Sequence, residues 1–208
     1  RFPDVTASVA LHTDVPVGSG LGGSSAASVA VLAALHAASD TPLDGRTLAE
    51  RSRRFEVDDL GIAGGWQDHY SAAIGGALAM RFGRRHHITS LSMSPQALES
   101  IERSLLLYYT GASRLSAATI TSVRDAYRRR DPGTCAALDT IRQLAEAMSV
   151  PLQDGDAQLL GSLVGEHWLH QKALHPSITT PLLDSMISTA LRHGAYGAKA
   201  LGASGGGC

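Results

Sequence analysis

Pro16-Val17-Gly18-Ser19-Gly20-Leu21-Gly22-Gly23-Ser24-Ser25 decides how the rest of the chain is read. Four of the eight residues from Gly18 to Ser25 are glycine and three are serine. Upstream, Val5 to Thr13 places apolar residues at Val5, Ala7, Val9 and Leu11, which predicts a strand. Downstream, Ser24 to Ser39 is almost wholly apolar and predicts a buried helix, with Ser24 or Ser25 near its N-terminus. A glycine turn between strand and helix lets the backbone come close to a ligand. Free N–H groups and the helix dipole favour an anion there, phosphate above all. The hydroxyls can add bonds to phosphate oxygens or to Mg²⁺. Taken alone, the same letters also describe a tight turn with an N-cap serine.

Two other glycine-loop readings fail on the surrounding sequence. Gly18 to Gly23 fits G-x-G-x-x-G, but a dinucleotide fold requires a second strand after the helix, ending in an acidic residue. Here the helix gives way to Asp40-Thr41-Pro42-Leu43-Asp44-Gly45 and then to another helix. A Walker A loop requires a lysine before the hydroxyl residue, and none precedes Ser24 or Ser25.

Outward from the loop, the pattern alternates helices with short strands. Asp44 to Phe55 predicts a helix with Asp44 as a possible N-cap. Gln67 to Ile74 predicts a short helix stopped by Gly75-Gly76. Ala77 to Phe82 and His87 to Leu91 predict a hairpin around Gly83-Arg84-Arg85. Leu105 to Thr110 predicts a strand. Helical stretches are expected near Ser113–Arg129, Pro132–Met148, Asp154–Leu174 and Thr180–His193, and a last strand over Ala198 to Leu201. The order is that of a two-layer α+β protein. Its 208 residues hold one large domain or two small ones. The chain starts without Met and stops within a glycine turn, so both ends are expected to be missing.

Composition narrows the partners. A net charge of −1 gives no basic excess for nucleic acid or anionic membrane. No apolar run reaches membrane-spanning length, and no signal peptide is visible. Two cysteines without metal spacing fit a reducing, cytoplasmic setting. His167 and His170 lack a third ligand for zinc.

The chemistry-bearing residues cluster in three further places. Gly64-Gly65-Trp66-Gln67-Asp68-His69-Tyr70 sets an aspartate among glycines and aromatics, before the small run Ala72-Ala73-Ile74-Gly75-Gly76. Tyr109-Thr110-Gly111-Ala112-Ser113-Arg114 ends a strand and puts an arginine in the first turn of a helix, where the dipole disfavours it. Gly197-Ala198-Lys199-Ala200-Leu201-Gly202-Ala203-Ser204-Gly205-Gly206-Gly207 is a strand entering a glycine turn.

Taken together, these motifs resemble the GHMP kinases, a superfamily of small-molecule kinases. The loop at Gly18–Ser25 resembles the superfamily's second motif, and Gly197–Gly207 its third. The Asp68 segment and the Tyr109–Arg114 segment resemble heptose 7-phosphate kinases. So does Trp168-Leu169-His170-Gln171-Lys172. Trp66 matches fucokinases better. The resemblance covers nearly the whole chain, and the first motif is not present.

The resemblance implies a ribosomal-protein-S5-like N-terminal domain, in part, over 1–95 and a ferredoxin-like C-terminal domain over 96–208. It implies that Gly18, Ser19, Gly20, Leu21, Gly22, Gly23, Ser24 and Ser25 wrap the phosphates of ATP. Mg²⁺ would be held by Ser24 or Ser25, with Glu56. Asp68 would accept or orient the proton of the attacking sugar hydroxyl. Gly65, Trp66, Gln67, His69, Tyr70, Arg114, Lys172, Gly202, Ser204 and Gly205 would line the substrate. Phosphoryl transfer needs mainly positioning and charge neutralisation, so this set is adequate. His69 departs from the usual Gln, Gly23 from Ser or Thr, and Ser204 from Gly. The implied reaction is ATP-dependent phosphorylation of the anomeric C1 hydroxyl of a heptose 7-phosphate or octose 8-phosphate, giving a sugar 1,n-bisphosphate. Alternatives are a kinase of a free sugar such as L-fucose, and a non-catalytic sugar or nucleotide sensor on the same scaffold. A monomer or homodimer is expected.

Overall fold

The computed structural model describes residues 6, 8–62, 64–112 and 117–208. They form two compact units. One comprises the chain up to Val17 together with Gly22–Ser90; the other comprises Gly18–Leu21 together with Leu91–Cys208.

In the first unit, α1 (Gly23–Ala38), α2 (Gly45–Arg54) and α3 (Gln67–Ile74) pack on one another. Asp44 caps α2 as its sequence position predicts, accepting from the Thr47 amide at 3.0 Å. A single π turn, Phe55–Asp59, continues α2. Leu48, Ser52 and Glu56 recur every four residues, and all three are buried. That spacing puts them on one stripe facing α1 and α3. Gly75 stops α3, and a hairpin follows. Its strands β1 (Leu78–Arg81) and β2 (His87–Ser90) run antiparallel, with Leu78 opposite Ser90 and Arg81 opposite His87.

The second unit is helical. It contains α4 (Pro95–Ser104), α5 (Ala117–Arg128), α6 (Pro132–Ala147), α7 (Ser149–Asp154), α8 (Ala157–Ala173) and α9 (Pro181–Arg192). Ser94, Asp131 and Thr180 cap α4, α6 and α9, each ahead of a proline at the first helical position. The apolar centre is Trp168, Ile178, Leu183 and Ala200, flanked by Leu174 and Ile187. Gly161 on α8 touches Tyr196 and Gly197 so closely that a side chain on Gly197 would strike the Gly161 carbonyl. This glycine seam presses the 196–199 segment onto α8 and so positions the glycine turn that follows.

Three expected strands are absent among the described residues. The described part of Val5–Thr13 is irregular, and so are Leu105–Thr110 and Ala198–Leu201. β-Propensity fixes an extended backbone but does not supply a ladder partner. At the end of 105–110 the Thr110 amide donates to the Gly207 carbonyl at 2.9 Å, and the segment joins no ladder among the described residues. Leu106 is accordingly 88% exposed. Among the described residues no helix is long and apolar enough to cross a membrane.

Candidate functional site

In the first unit the site is built around Glu56. The π turn brings this carboxyl under the start of α1, where it is 5% exposed. Ser24 Oγ donates to Glu56 Oε1 at 2.5 Å, and Ser25 Oγ donates to Oε2 at 3.3 Å. His69 Nε2 lies 2.8 Å from Oε2. On the other edge of that ring, Ser52 Oγ lies 2.9 Å from Nδ1. One set of protons satisfies all five groups: Nε2–H donates to Glu56, and the Ser52 hydroxyl donates to Nδ1. The His69 ring is wholly enclosed. Burial lowers its pKa, against the opposing pull of Glu56 and Asp68. We therefore describe the His69–Glu56 contact as a hydrogen bond from a neutral imidazole rather than an ion pair.

Asp68 sits in the first turn of α3 beside the start of the loop–helix junction. A side chain on Gly22 would lie 3.3 Å from Asp68 Cβ and 3.5 Å from Oδ1. Gly22 also holds φ 71°, in the left-handed region that favours glycine. Burial raises the Asp68 pKa; His69 pulls it down and Glu56 pushes it up. A carboxyl with a raised pKa is a better proton acceptor near neutrality. Gly65 and Gln67 are exposed just before it, with the Gln67 side chain folded back over Gly65.

Tyr70 faces elsewhere. It is fully buried, and its hydroxyl donates to Glu50 Oε1 at 3.0 Å. Trp66 is half-buried, with the Arg53 guanidinium 4.2 Å from its ring centroid.

In the second unit, Gly18–Leu21 packs backbone to backbone against the C-terminal glycine turn. The Cys208 amide donates to the Ser19 carbonyl at 2.8 Å. A side chain on Gly20 would meet the Leu201 carbonyl at 3.0 Å, and one on Gly202 would meet Gly20 Cα at 3.3 Å. Ser204 adopts φ 63° and is buried. Gln171 Nε2 ties the turn together, donating to the Gly202 carbonyl at 3.1 Å and to Ser204 Oγ at 3.3 Å. The Gly205 amide donates to the Ile178 carbonyl at 2.9 Å. Lys172 lies 3.4 Å from Asp184 and 5.9 Å from the Trp168 ring centroid. Arg114 lies outside the described residues.

The structure thus gathers Ser24, Ser25, Glu56, His69 and Asp68 in one unit, and Gly18–Leu21, Gly202, Ser204 and Gly205 in the other. Sequence reasoning missed Ser52 and Gln171. The four-residue spacing Leu48–Ser52–Glu56 carried the signal for Ser52. Gln171 lies inside the Trp168–Lys172 segment already singled out, where Lys172 had been given the substrate role.

A model of the GHMP kinases N terminal domain matches residues 2–76, and one of the GHMP kinases C terminal matches residues 137–208. The chain is 33% identical over 204 residues to a D-glycero-alpha-D-manno-heptose 7-phosphate kinase of Campylobacter jejuni, a match covering 96% of the chain and 60% of that relative. It is 27% identical over 216 residues to a bifunctional fucokinase/GDP-fucose pyrophosphorylase of Arabidopsis thaliana, covering 100% of the chain and 20% of that relative. Among solved structures, a D-glycero-D-manno-heptose 1-phosphate kinase from Bacteroides thetaiotaomicron superposes with a TM-score of 0.67 at 26% identity, over 92% of this chain and 53% of that one. The chain therefore spans 60% or less of the length of each of these three.

Proposed function

The chain belongs to the GHMP kinases, and from that premise we propose that it serves ATP-dependent phosphorylation of the anomeric hydroxyl of a sugar phosphate of the heptose 7-phosphate or octose 8-phosphate class. The observation that carries the reading is Asp68, half-buried beside Gly22 with a raised pKa, next to the Ser24–Glu56 pair. Asp68 would take or orient the proton of the attacking hydroxyl. Gly65 and Gln67, exposed beside it, would form the substrate side. The loop from Gly18 to Ser25 would hold the phosphates of ATP by its amides and hydroxyls. A heptose 7-phosphate is preferred over a free sugar because the Campylobacter jejuni relative named for it is the more similar of the two sugar kinases.

Mg²⁺ fits the residues present. A hard cation bound through one or two carboxylates, with substrate phosphates completing its shell, needs few protein oxygens. The 2.5 Å pair of Glu56 Oε1 and Ser24 Oγ supplies two. When bound, the cation would neutralise charge developing on the transferred phosphoryl group. Between the serines we assign this role to Ser24, which is exposed; Ser25 is buried and tied to Glu56 Oε2 and His69. His69 has no open surface for a substrate. It would act as a positioning residue, fixing Oε2 so that Oε1 stays turned toward Ser24.

The test is ADP release across a panel of sugar 7-phosphates and free sugars. Stimulation by a heptose 7-phosphate is expected, with a loss of at least about 100-fold in kcat for Asp68→Asn, the scale of a positioned general base. If no sugar stimulates ADP release, or if Asp68→Asn turns over at a near-normal rate, the reading fails.

A further inference from the structure

The opposite side of α3 carries a second feature that phosphoryl transfer at Asp68 does not use. Trp66 precedes the helix and Tyr70 lies one turn on, with the Tyr70 amide bonded to the Trp66 carbonyl at 3.2 Å. Asp68 is two residues from each, about 200° around the helix axis. On the Trp66–Tyr70 side, α2 and the hairpin border an open, shallow cavity of about 490 Å³, lined by Arg46, Glu50, Trp66, Arg84, Arg85, His86 and His87. All of these residues belong to the first unit.

Its charge is one-sided. Three guanidinium groups face one carboxylate, and that carboxylate already accepts the Tyr70 hydroxyl at 3.0 Å. Arg46 is held in place by a bond from Nη1 to the His86 carbonyl at 3.3 Å. Arg84 and Arg85, in the hairpin turn, pair with no carboxylate among the described residues. The aromatic wall is packed ring on ring. Arg53 covers the Trp66 ring, and His86 stands edge-on to it with centroids 4.4 Å apart. His86 in turn stands edge-on to Phe82 at 5.3 Å. Guanidinium forks match phosphate geometry and take it by paired, charge-assisted bonds.

We propose that this cavity is an anion site for a phosphorylated small molecule, formed by Arg46, Arg84 and Arg85 against Trp66 and distinct from the Asp68 side of α3. It does not depend on the kinase reading. A ligand there would bear on α3 and on the hairpin at once, since Trp66 and His86 share the wall.

The two tryptophans give a direct assay. Trp66 lines the cavity, whereas Trp168 is 2% exposed in the apolar centre of the other unit. Their indole N–H signals are followed by NMR during titration of the protein with inorganic phosphate, a sugar phosphate and ATP, each against sodium chloride of equal ionic strength. The Trp66 signal is expected to move saturably with inorganic phosphate, with half-saturation at about 1 mM or tighter, the affinity that two charge-assisted bonds supply. The Trp168 signal should stay still. The double variant Arg84→Glu/Arg85→Glu alters only exposed turn residues and should weaken binding at least about 10-fold. Comparing half-saturation points separates free phosphate from sugar phosphate as the source, and either ranking supports the site. The proposal is overturned if phosphate leaves Trp66 unmoved to about 20 mM, roughly twenty times that Kd. It is equally overturned if sodium chloride gives the same shift, if the double variant binds as well as the parent, or if only ATP acts.

Discussion

Replacing His69 by leucine tests whether the buried polar network, and not mere filling of space, holds α2 to α3. The imidazole donates to Glu56 Oε2 at 2.8 Å and accepts from Ser52 Oγ at 2.9 Å. Glu56 is 5% exposed and Ser52 is fully enclosed, so water cannot replace the lost partners cheaply. A hydrogen bond to a charged group contributes about 1.5–3 kcal/mol, and an orphaned buried hydroxyl costs about 1–3 kcal/mol more. The expected loss for His69→Leu is therefore about 3–5 kcal/mol, the usual cost of stripping one partner from a buried charged group. His69→Gln is the control. Its amide can donate to Glu56 and accept from Ser52, so it should lose less than about 1.5 kcal/mol. Urea denaturation at constant m reads the difference. Hydrogen exchange over residues 45–74 localises it. Glutamine no better than leucine, or leucine costing less than about 1 kcal/mol, would refute the network as the stabilising element.

Acid should weaken the second unit through His167. Burial, then the charges of Lys199 and His170, draw its pKa from 6.5 down to about 4. Its Nδ1 is buried with no hydrogen-bond partner among the described residues. Below pH 6.5 the unfolded chain takes up a proton that the folded chain refuses. Stability therefore falls as pH drops from 6.5 toward 4 and levels off below that. The shift amounts to at most about 3 kcal/mol, and screening at a half-open position brings it to roughly 1–2 kcal/mol. An NMR titration placing native His167 near 6.5 would sink this account; in Lys199→Met its pKa should rise. In a separate test, Gly207→Ala places a methyl group on the Ser19 carbonyl at φ 84°. It should cost more than about 2 kcal/mol in urea denaturation, clash and backbone strain combined. Gly61→Ala, at φ 68° with no atom of the described residues within reach of the added methyl group, should cost only the left-handed penalty of about 1–2 kcal/mol. Equal losses at the two glycines would mean that the packing of Gly207 on Ser19 contributes nothing.

What could be read ahead of the structure follows from how local each cause is. The ends of α2 and α9 were legible because Asp44 and Thr180 cap them through their own side chains. The span of α3 was legible because Gly75 turns the chain at φ 74°. The hairpin at 78–90 carries its ladder partner within a few residues. By contrast, Leu105–Thr110 has the letters of a strand, but its pairing depends on a distant segment. The π turn was also invisible. No residue of Phe55–Asp59 demands it, yet it continues α2 just where Glu56 meets Ser24 and His69. For His69, the substrate role came from the family resemblance, which carried the whole segment around Asp68 over as one. Successive helical positions diverge by about 100°, so adjacency to Asp68 says little about a shared surface.

The glycines of the opening loop mean more than an anion site. Read as letters, Gly18, Gly20, Gly22 and Gly23 are glycines for an anion. In the structure, Gly20 is short of a side chain because the Leu201 carbonyl is there, and Gly22 because Asp68 is there. Beside Gly23, no atom of the described residues lies where a side chain would go. Gly20 and Gly22 would thus be required by protein contacts even if no phosphate ever bound. A glycine-rich loop is consequently weaker evidence for phosphate than its composition implies. The stronger discriminator is what the missing side chains make room for. Beside Gly20 it is another glycine turn; beside Gly22 it is a carboxyl whose pKa burial has raised. That second neighbour bears on chemistry, because a backbone turn packed only on backbone supplies no proton acceptor.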